Sequence, residues 1–419
     1  RRRQRQMCIR DRVLCWLFFI LKYIRGKKMN ELTRHFSTIF DNNFDELRSI
    51  NEFIYNNPEL GHQEFKACSI LIDSLKKHGF EITKNFCNIP TAFMGRYKSG
   101  NSGPTIAILA EYDALPGIGH GCGHNAFATT SIAAAIIIKE MMKDINGELL
   151  IIGTPAEETS GAKVEMANLG VFNNVDIAMA AHPTGEMHER SGHSQAMEAL
   201  QFTFKGKTAH AAGNPYEGIN ALDGVILLFN SVNALRQQTY ETARIHGIIS
   251  NGGKAANIIP DLAVANFYVR ANSLEYLKEL VTKVKNCAKG AAIATGTQLV
   301  IENYETSFAD LITNKELSNL YEKNLRSLGV TDIRDSKPSG STDMGDVSHC
   351  CPTIHPYFPL CTSHLTGHSV EFANATIQPE AYKGIKEAAI AMALTAFDIY
   401  TDKNTLNKIK EEFNDNVKS

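Results

Sequence analysis

Apolar residues recur along this chain with two alternating periods, one typical of helices and one typical of strands. Helical spacing predicts helices at Phe44–Asn57, Ala67–His78 and Ala126–Met142. Short, continuous apolar runs predict three buried strands: Thr105–Ala110, Leu149–Gly153 and Val175–Ala181. Because strands and helices alternate, we predict an α/β sheet that helices cover on both faces.

The pattern changes near Gly192. Ala196–Lys205 alternates apolar and polar residues like a half-exposed strand, and it is followed by a helix, two strands, a helix and a strand. This β-α-β-β-α-β order is that of a ferredoxin-like unit. The α/β pattern resumes after about residue 308 and ends in a long helix predicted at Glu380–Phe397. We therefore expect one domain made of residues 29–192 and 308–419, interrupted by a second at 193–307.

Composition narrows the class of protein. The 419 residues include 43 basic and 45 acidic side chains, so the net charge of −2 gives no electrostatic basis for binding nucleic acid. Nine cysteines form an odd set without the spacing of a disulfide framework. This usage predicts a reducing, cytoplasmic location.

The first 28 residues stand apart from the rest. Residues 1–12 are strongly basic, and Val13–Leu21 is apolar but only about half as long as a membrane span of roughly 20 residues. No small-residue cleavage site follows, as a secretory signal would require. We predict that residues 1–28 are a disordered or spurious extension before Met29, and that the protein does not bind a membrane.

Residues able to carry chemistry cluster where predicted strands end. Ligands of open α/β sheets bind at the carboxyl ends of strands. The candidates at these ends are the segments Glu111–Pro116, Gly119–Asn125 and Thr154–Gly161, then His182-Pro183, and near the C-terminus Gly367-His368.

Five of these side chains offer the ligand types of zinc or a similar transition metal: Cys122, His124, Glu158, His182 and His368. Five protein ligands suit two adjacent metals that share a bridge better than one closed structural site. Two such metals can hold a hydroxide nucleophile and polarise a carbonyl. In the Glu157-Glu158 pair, one carboxylate would bind metal and the other would move protons.

Simpler interpretations remain open for each of these candidate residues. A Cys-x-His pair is more often structural than catalytic, and each lone histidine could be hydrogen-bonded in a loop. The only role of the paired glutamates could be to stabilise the N-terminus of a helix. A metal-free amidase with Cys122 as nucleophile and His124 as base is a further alternative, although two residues on one tight turn rarely reach that geometry. Their joint placement at strand ends favours the metal site.

Seven segments, in order, resemble the M20 metallopeptidase family: AEYDALPGIGHGCGHN, GTPAEETSGAK, AAHP, GKTAHAAGNPYEGINA, NGGKAANIIPD, GSTDMGDVSH and GHSVEF. The resemblance is strongest to its amidohydrolase branch, which includes Xaa-Arg and β-alanyl-lysine dipeptidases and p-aminobenzoyl-glutamate hydrolase subunits. It covers roughly residues 45–395. Asn125 departs from the Cys-Gly-His-Asp of many branch members, which leaves the ligands intact and the subgroup less defined.

This resemblance implies a zinc-peptidase-like catalytic domain with a mixed central sheet, interrupted by a dimerisation (lid) domain. It implies two divalent metal ions, zinc or alternatively manganese or cobalt. Cys122 would bridge them, the other four ligand candidates would complete the site, and Glu157 would be the catalytic base. Asp113 would support a metal-binding histidine, while Glu111 stands where relatives have a histidine ligand.

The resemblance also implies residues that contact substrate. His210 would reach a neighbouring active site across a homodimer and stabilise the oxyanion. Asn257 would contact substrate beside it, with a turn residue before Pro260 as the alternative. Arg270 could bind a substrate carboxylate, with a surface salt bridge as the alternative. Ser341 and Asp343 lie in the segment that resembles the substrate loop, with helix N-capping as the alternative.

These observations predict metal-dependent hydrolysis of an amide bond in a small dipeptide-like or N-acyl amino acid substrate. Two alternatives remain: a subunit of an aminobenzoyl-glutamate-type hydrolase that needs a second polypeptide, and a catalytically inactive scaffold. The side chains of the substrate cannot be distinguished from the sequence.

Overall fold

A computed structural model describes residues 31–100, 102–336 and 340–418. Its helices are α1 (31–42), α2 (Phe44–Asn56), α3 (Phe65–Lys77), α4 (His124–Met141), α5 (Ala162–Asn168), α6 (Ala221–Leu235), α7 (Leu274–Thr295), α8 (Lys315–Ser327), α9 (Met344–Ser348), α10 (Val370–Ala375), α11 (Ala381–Thr401) and α12 (Lys403–Lys418). Its strands are β1 (Glu81–Lys84), β2 (Phe93–Ser99), β3 (Thr105–Ala110), β4 (Gly147–Gly153), β5 (Ile177–Met179), β6 (His182–Thr184), β7 (His188–Glu189), β8 (Ala196–Lys205), β9 (Arg244–Asn251), β10 (Leu262–Ala271), β11 (Gln298–Asn303), β12 (Ile333–Arg334), β13 (Thr353–Ile354) and β14 (Tyr357–Pro359).

The largest sheet has six strands in the order β1-β2-β4-β3-β5-β13. The pairs β1–β2 and β2–β4 are antiparallel, and the remaining pairs are parallel. The parallel strands β3, β4 and β5 therefore end at one edge, where the loops that carry the candidate ligands begin.

Successive residues of β3 show how both faces of this sheet are buried. Ile106 and Ile108 pack into a core with α2, α3, α4 and α11, whereas Ala107 and Leu109 pack into a second core with α5 and α9. Side chains alternate between the two faces of a strand, so a strand covered on both faces is apolar throughout. This accounts for the continuous apolar run in its sequence.

The second sheet has four strands in the order β11-β8-β10-β9, all antiparallel. Two helices, α6 and α7, pack on one face and share a core with the inward side chains of β8 and β10. The arrangement is ferredoxin-like, and together with the mixed six-stranded sheet it confirms the predicted fold class.

A third, small sheet in the order β12-β7-β14-β6 lies beside the ligand loops. β14 runs parallel to β6, and its first residue, Tyr357, lies opposite His182. This sheet was not predicted, because its strands contain only two or three residues each. The strands β1 and β2 were also missed, since Gly95, Arg96 and Lys98 interrupt the apolar pattern of β2.

Most predicted elements agree with the structure to within a few residues. β3 and β8 have the predicted bounds, and α6 begins three residues after the start of the helix that the apolar spacing predicts at Gly218–Leu235. The prediction for residues 1–28 lies outside the described residues. Across the part of the chain that the structure describes, no helix combines the length and apolar character needed to cross a membrane.

Candidate metal centre

The centre is built on the loop that joins β3 to α4. Gly123 sits at the N-terminus of α4 with φ of 80°, and a Cβ there would lie 2.6 Å from Pro183 Cγ. A side chain at this position would both strain the backbone and collide with the loop that carries His182. The glycine therefore lets the Cys122–His124 turn approach the His182 loop closely.

One group of candidate ligands consists of Cys122, His124 and His182, whose ligand atoms all lie within 4.8 Å of one another. The Cys122 Sγ lies 3.4 Å from His182 Nε2. His182 Nδ1 donates to the carbonyl oxygen of Pro183 at 2.7 Å, which directs Nε2 toward the sulfur. These three side chains could supply three ligands to one metal ion.

A second group consists of Cys122, Glu158 and His368, again with ligand atoms within 4.8 Å of one another. His368 Nε2 lies 3.4 Å from Glu158 Oε1, and His368 has a left-handed φ of 60°. Left-handed residues other than glycine are strained and often occur at functional loops. Because Cys122 belongs to both groups, the arrangement is that of two sites that share one sulfur.

Asp113 connects the two groups. Its Oδ1 accepts a hydrogen bond from His124 Nδ1 at 2.9 Å, and its Oδ2 accepts one from the backbone N–H of Glu158 at 2.9 Å. Such a carboxylate fixes the ring orientation of a ligating histidine and leaves Nε2 free to bind metal. One side chain thus orients a candidate ligand from each group.

A third group of candidate ligands contains two carboxylates and shares His124 with the first group. The carboxylate oxygens of Glu111 and Glu157 and a ring nitrogen of His124 lie within 4.8 Å of one another. Lys163 Nζ is 2.7 Å from Glu111 Oε1 and 2.6 Å from Asp343 Oδ1. The lysine side chain is fully buried, so its charge is balanced by these two carboxylates. Asp343 therefore does not cap α9 through its side chain, which is committed to Lys163.

The glutamates of this region differ in their ionisation. Burial, and then the charges of Glu111 and Glu158, raise the pKa of Glu157 well above its ordinary value. Burial also opposes ionisation of Glu158, but the contact with His368 and the charge of His124 lower its pKa to about 2. Two adjacent glutamates with opposite pKa shifts fit one proton carrier and one anionic ligand.

The side chains in this region fit two divalent metal ions. His124 Nε2 and Glu158 Oε1 are buried and form no hydrogen bond among the described residues, and they lie 3.3 Å from Glu111 Oε2 and 3.4 Å from His368 Nε2, respectively. Thiolate, imidazole and carboxylate groups are the ligands that zinc prefers, and the last two also suit manganese or cobalt. Buried carboxylates also outnumber the one buried lysine beside them, which favours binding of cations.

The free-thiol alternative fits less well. Burial raises the pKa of the Cys122 thiol above its ordinary value, and although the charge and hydrogen bond of His124 oppose this shift, the pKa stays raised. A nucleophilic cysteine needs the opposite shift, because the thiolate is the reactive form. A metal ion at this position would instead supply the positive charge that a thiolate requires.

The centre opens into a cavity of about 330 Å³. Arg270 from β10 and Ser341 line it, and Arg270 Nη1 donates to Ser341 Oγ at 2.9 Å. Among the described residues Arg270 forms no ion pair, and its guanidinium packs over the ring of Tyr268. Arg270 and Ser341 therefore line the same cavity as four of the candidate ligands, which are Cys122, Glu158, His182 and His368.

His210 and Asn257 lie elsewhere. Both are exposed residues of the unit that contains the four-stranded sheet, and they are neighbours, since Asn257 O accepts from the backbone N–H of Ala211. Neither lines the cavity of its own chain. Their participation in an active site thus depends on a second copy of the chain.

Several cavity residues were missed from the sequence. His193 lines the cavity, with Nδ1 2.9 Å from the carbonyl oxygen of Leu311 and Nε2 2.8 Å from that of Asn272. His355 and Tyr357 also line it, and burial lowers the pKa of His355 to about 3. One signal was available, because His355-Pro356 follows β13 as His182-Pro183 follows β5. The burial of Lys163 gives no such signal in a sequence.

The sequence of this chain is similar to those of known proteins. Residues 187–295 match the family model described as the peptidase dimerisation domain. The chain is 35% identical over 401 residues to the Xaa-Arg dipeptidase of Mus musculus, which covers 91% of this chain and 92% of that protein. It is 28% identical over 459 residues to one of the p-aminobenzoyl-glutamate hydrolase subunits of Escherichia coli, covering 92% and 95% respectively.

The fold is also shared with solved structures. A Bacillus subtilis protein described as a dinuclear metal binding peptidase from the M20 family superimposes with a TM-score of 0.62 at 19% sequence identity. The match covers 87% of this chain and 99% of that one. At this identity the likeness supports the fold alone.

Proposed function

The chain belongs to the M20 peptidase family and is a hydrolase acting on C–N bonds, and on that premise we propose that it hydrolyses the amide bond of small dipeptide-like or N-acyl amino acid substrates. The observation that carries this proposal is the pair of ligand groups that share Cys122. The Xaa-Arg dipeptidases, at 34–35% identity, support a dipeptide with a basic residue as the first substrate to test.

The proposed metal ligands are Cys122, His124, Glu158, His182 and His368. When bound, two divalent cations at this centre would polarise the scissile carbonyl and lower the pKa of a water molecule. Glu157 lines the same cavity. In this proposal it binds neither metal. It takes the proton of that water and delivers it to the departing amine, which is the role of a general base and then of a general acid.

Two further sets of residues position the substrate. Arg270, held by Ser341, binds the free carboxylate of the substrate, for which a planar guanidinium is well suited. His210 and Asn257 from a second copy of the chain complete the site, with His210 donating to the oxyanion. Asp113 holds His124 and the Glu158 backbone in place.

Metal analysis combined with an activity panel tests this proposal. The chain begun at Met29 would be assayed on β-alanyl-lysine, Xaa-Arg dipeptides, N-acetyl amino acids and aminobenzoyl-glutamate, with and without a chelator. We expect about two metal ions per chain and cleavage that the chelator abolishes. Cleavage that persists in metal-free protein would contradict the proposal and support a cysteine amidase.

A second candidate function is that of one component of a two-component hydrolase. The Escherichia coli relative favours it, because its name describes one subunit of such an enzyme. In that case the purified chain would bind metal but cleave aminobenzoyl-glutamate only after a second polypeptide is added.

A further inference from the structure

His355 is buried with a ring nitrogen that lacks a hydrogen-bond partner. Its exposed fraction is 2%, and its Nδ1 makes no hydrogen bond to another described residue. Nearly all buried polar groups in folded proteins are hydrogen-bonded, because an unpaired one loses its interaction with water. The buried Nδ1 has no acceptor, which favours the N–H of the neutral ring on Nε2, and Nε2 also forms no hydrogen bond to a described residue, so it is left to donate to a partner that is not part of the chain.

The position of His355 indicates what that partner is. The residue lines the same cavity as Cys122, Glu157 and His182. Its ring centroid is 5.6 Å from that of His182 and 5.5 Å from that of Tyr357, and both pairs are edge-to-face. A molecule bound against His182 therefore comes within reach of His355.

The backbone holds this ring in place. His355 follows β13, which pairs with β5, and its own N–H donates to Ser191 Oγ at 2.8 Å. The next residue, Pro356, accepts a hydrogen bond through its carbonyl oxygen from the backbone N–H of His182. The two histidines are thus fixed relative to each other before any ligand binds, and a fixed donor needs no reorganisation during a reaction.

We propose that His355 donates a hydrogen bond to the oxygen of the tetrahedral species formed from the scissile amide. This inference rests on the proposed amide hydrolysis. An imidazole ring carries at least one N–H, and a donor on a buried, preoriented ring stabilises developing negative charge more strongly than water does. His355 thereby supplies from within the chain a contact of the kind proposed for His210 from a second copy.

Two substitutions separate this role from packing. His355→Phe keeps a planar ring without hydrogen-bonding atoms, and His355→Gln keeps a donor. His188→Gln is the matched control, because His188 is also buried, has an unpartnered Nδ1 and lies outside the cavity. Each holoenzyme would be measured for metal content, kcat, KM and calorimetric affinity for a phosphinate dipeptide, a stable mimic of the tetrahedral species.

We expect His355→Phe to lower kcat by roughly 10²-fold, the loss typical of removing one preorganised donor. Its affinity for the phosphinate should fall by a similar factor, while KM and metal content stay near wild type. His355→Gln should recover part of both losses, and His188→Gln should show neither.

A His355→Phe enzyme with unchanged kcat and phosphinate affinity overturns this inference alone, and so does one that has lost its metal. A wild-type chain that binds metal but neither cleaves any substrate nor binds the phosphinate overturns the proposed function, and this inference with it.

Discussion

The six-stranded sheet is covered by helices on both faces, whereas helices cover only one face of the four-stranded sheet. The edge strand β9 is exposed at every position except Ile245, and it presents Ile248 and Ile249 to solvent. The helix α6 adds exposed Ile226 and Leu227. Exposed apolar side chains on a sheet edge and an adjacent helix are typical of a surface that another protein covers.

The two regions also differ in where they place charge. Around the six-stranded sheet, Glu111, Asp113, Lys163 and Asp343 are buried and paired with one another or with histidines. The core beneath the four-stranded sheet is apolar. The region around the six-stranded sheet therefore buries charged groups, which costs solvation free energy, whereas the four-stranded sheet presents an exposed apolar surface. Four substitutions test this contrast.

The largest effect is expected for Glu157→Gln. Amide and carboxylate have nearly the same shape, but the amide cannot accept the proton of the attacking water. We expect kcat to fall by roughly 10²–10⁴-fold, with metal content unchanged. Activity near that of the wild type would remove Glu157 from the mechanism and weaken the case that buried charge in this region serves catalysis.

Lys163→Met measures how much the buried ion pairs of Lys163 contribute to the free energy of unfolding. The substitution leaves Glu111 and Asp343 buried without their cation, so we expect the free energy of unfolding to fall by about 3–5 kcal/mol in chemical denaturation. Lys285→Met is the matched control in the four-stranded unit. Its partner is Glu198 at 2.9 Å and the pair is partly exposed, so the loss should be about 0–1 kcal/mol. Equal losses would contradict the contrast.

His210→Ala tests whether the four-stranded unit takes part in chemistry after all. We expect kcat to fall by about 10²-fold, as for loss of one oxyanion donor. Mixing this variant with Glu157→Gln chains should restore about a quarter of wild-type activity, because half of the dimers are mixed and each holds one intact site. Subunit exchange without any recovery would show that the site is not shared.

The last prediction concerns Glu64, whose carboxylate accepts a hydrogen bond from the backbone N–H of Ala156, the residue before Glu157. Burial, then the charge of Asp113, raises the pKa of Glu64 from 4.5 to about 7. The unfolded chain therefore loses this proton first, and the group lowers stability progressively as pH rises from about 4.5 to about 7.

Glu64→Gln should remove that pH dependence, which amounts to at most about 3 kcal/mol for a pKa difference of this size. The measurement is the free energy of unfolding at pH 5 and pH 8 for the wild type and the variant. Glu52→Gln, on the exposed side of α2, is the control and should follow the wild type. Parallel curves for wild type and Glu64→Gln would exclude the assigned pKa.

The sequence predicted those features that depend on local pattern. β3 and β8 were predicted with their observed bounds, because their apolar or alternating runs are uninterrupted. Four candidate ligands were identified because they follow β3, β4 or β5, whereas His368 precedes α10. The strand β2 was missed, because charged residues and a glycine interrupt its pattern.

Features that depend on distant contacts could not be predicted. Lys163 pairs with Glu111 and with Asp343, which is 180 residues away, and nothing in a single sequence indicates that such a lysine is buried. The role of Arg270 likewise depends on Ser341, 71 residues along the chain. The contribution of His210 stays a prediction, because it requires a second copy.

Metal binding at the two ligand groups that share Cys122 would affect how long the protein persists in a cell. Anything that binds only the folded form raises its stability by mass action. Chains without metal would keep Glu157 and Glu158 crowded beside Glu111, and their folded state would be correspondingly weaker. Less stable chains unfold more often and are removed by proteases. Metal scarcity would therefore reduce the abundance of this protein as well as its activity, and abundance would recover only through new synthesis.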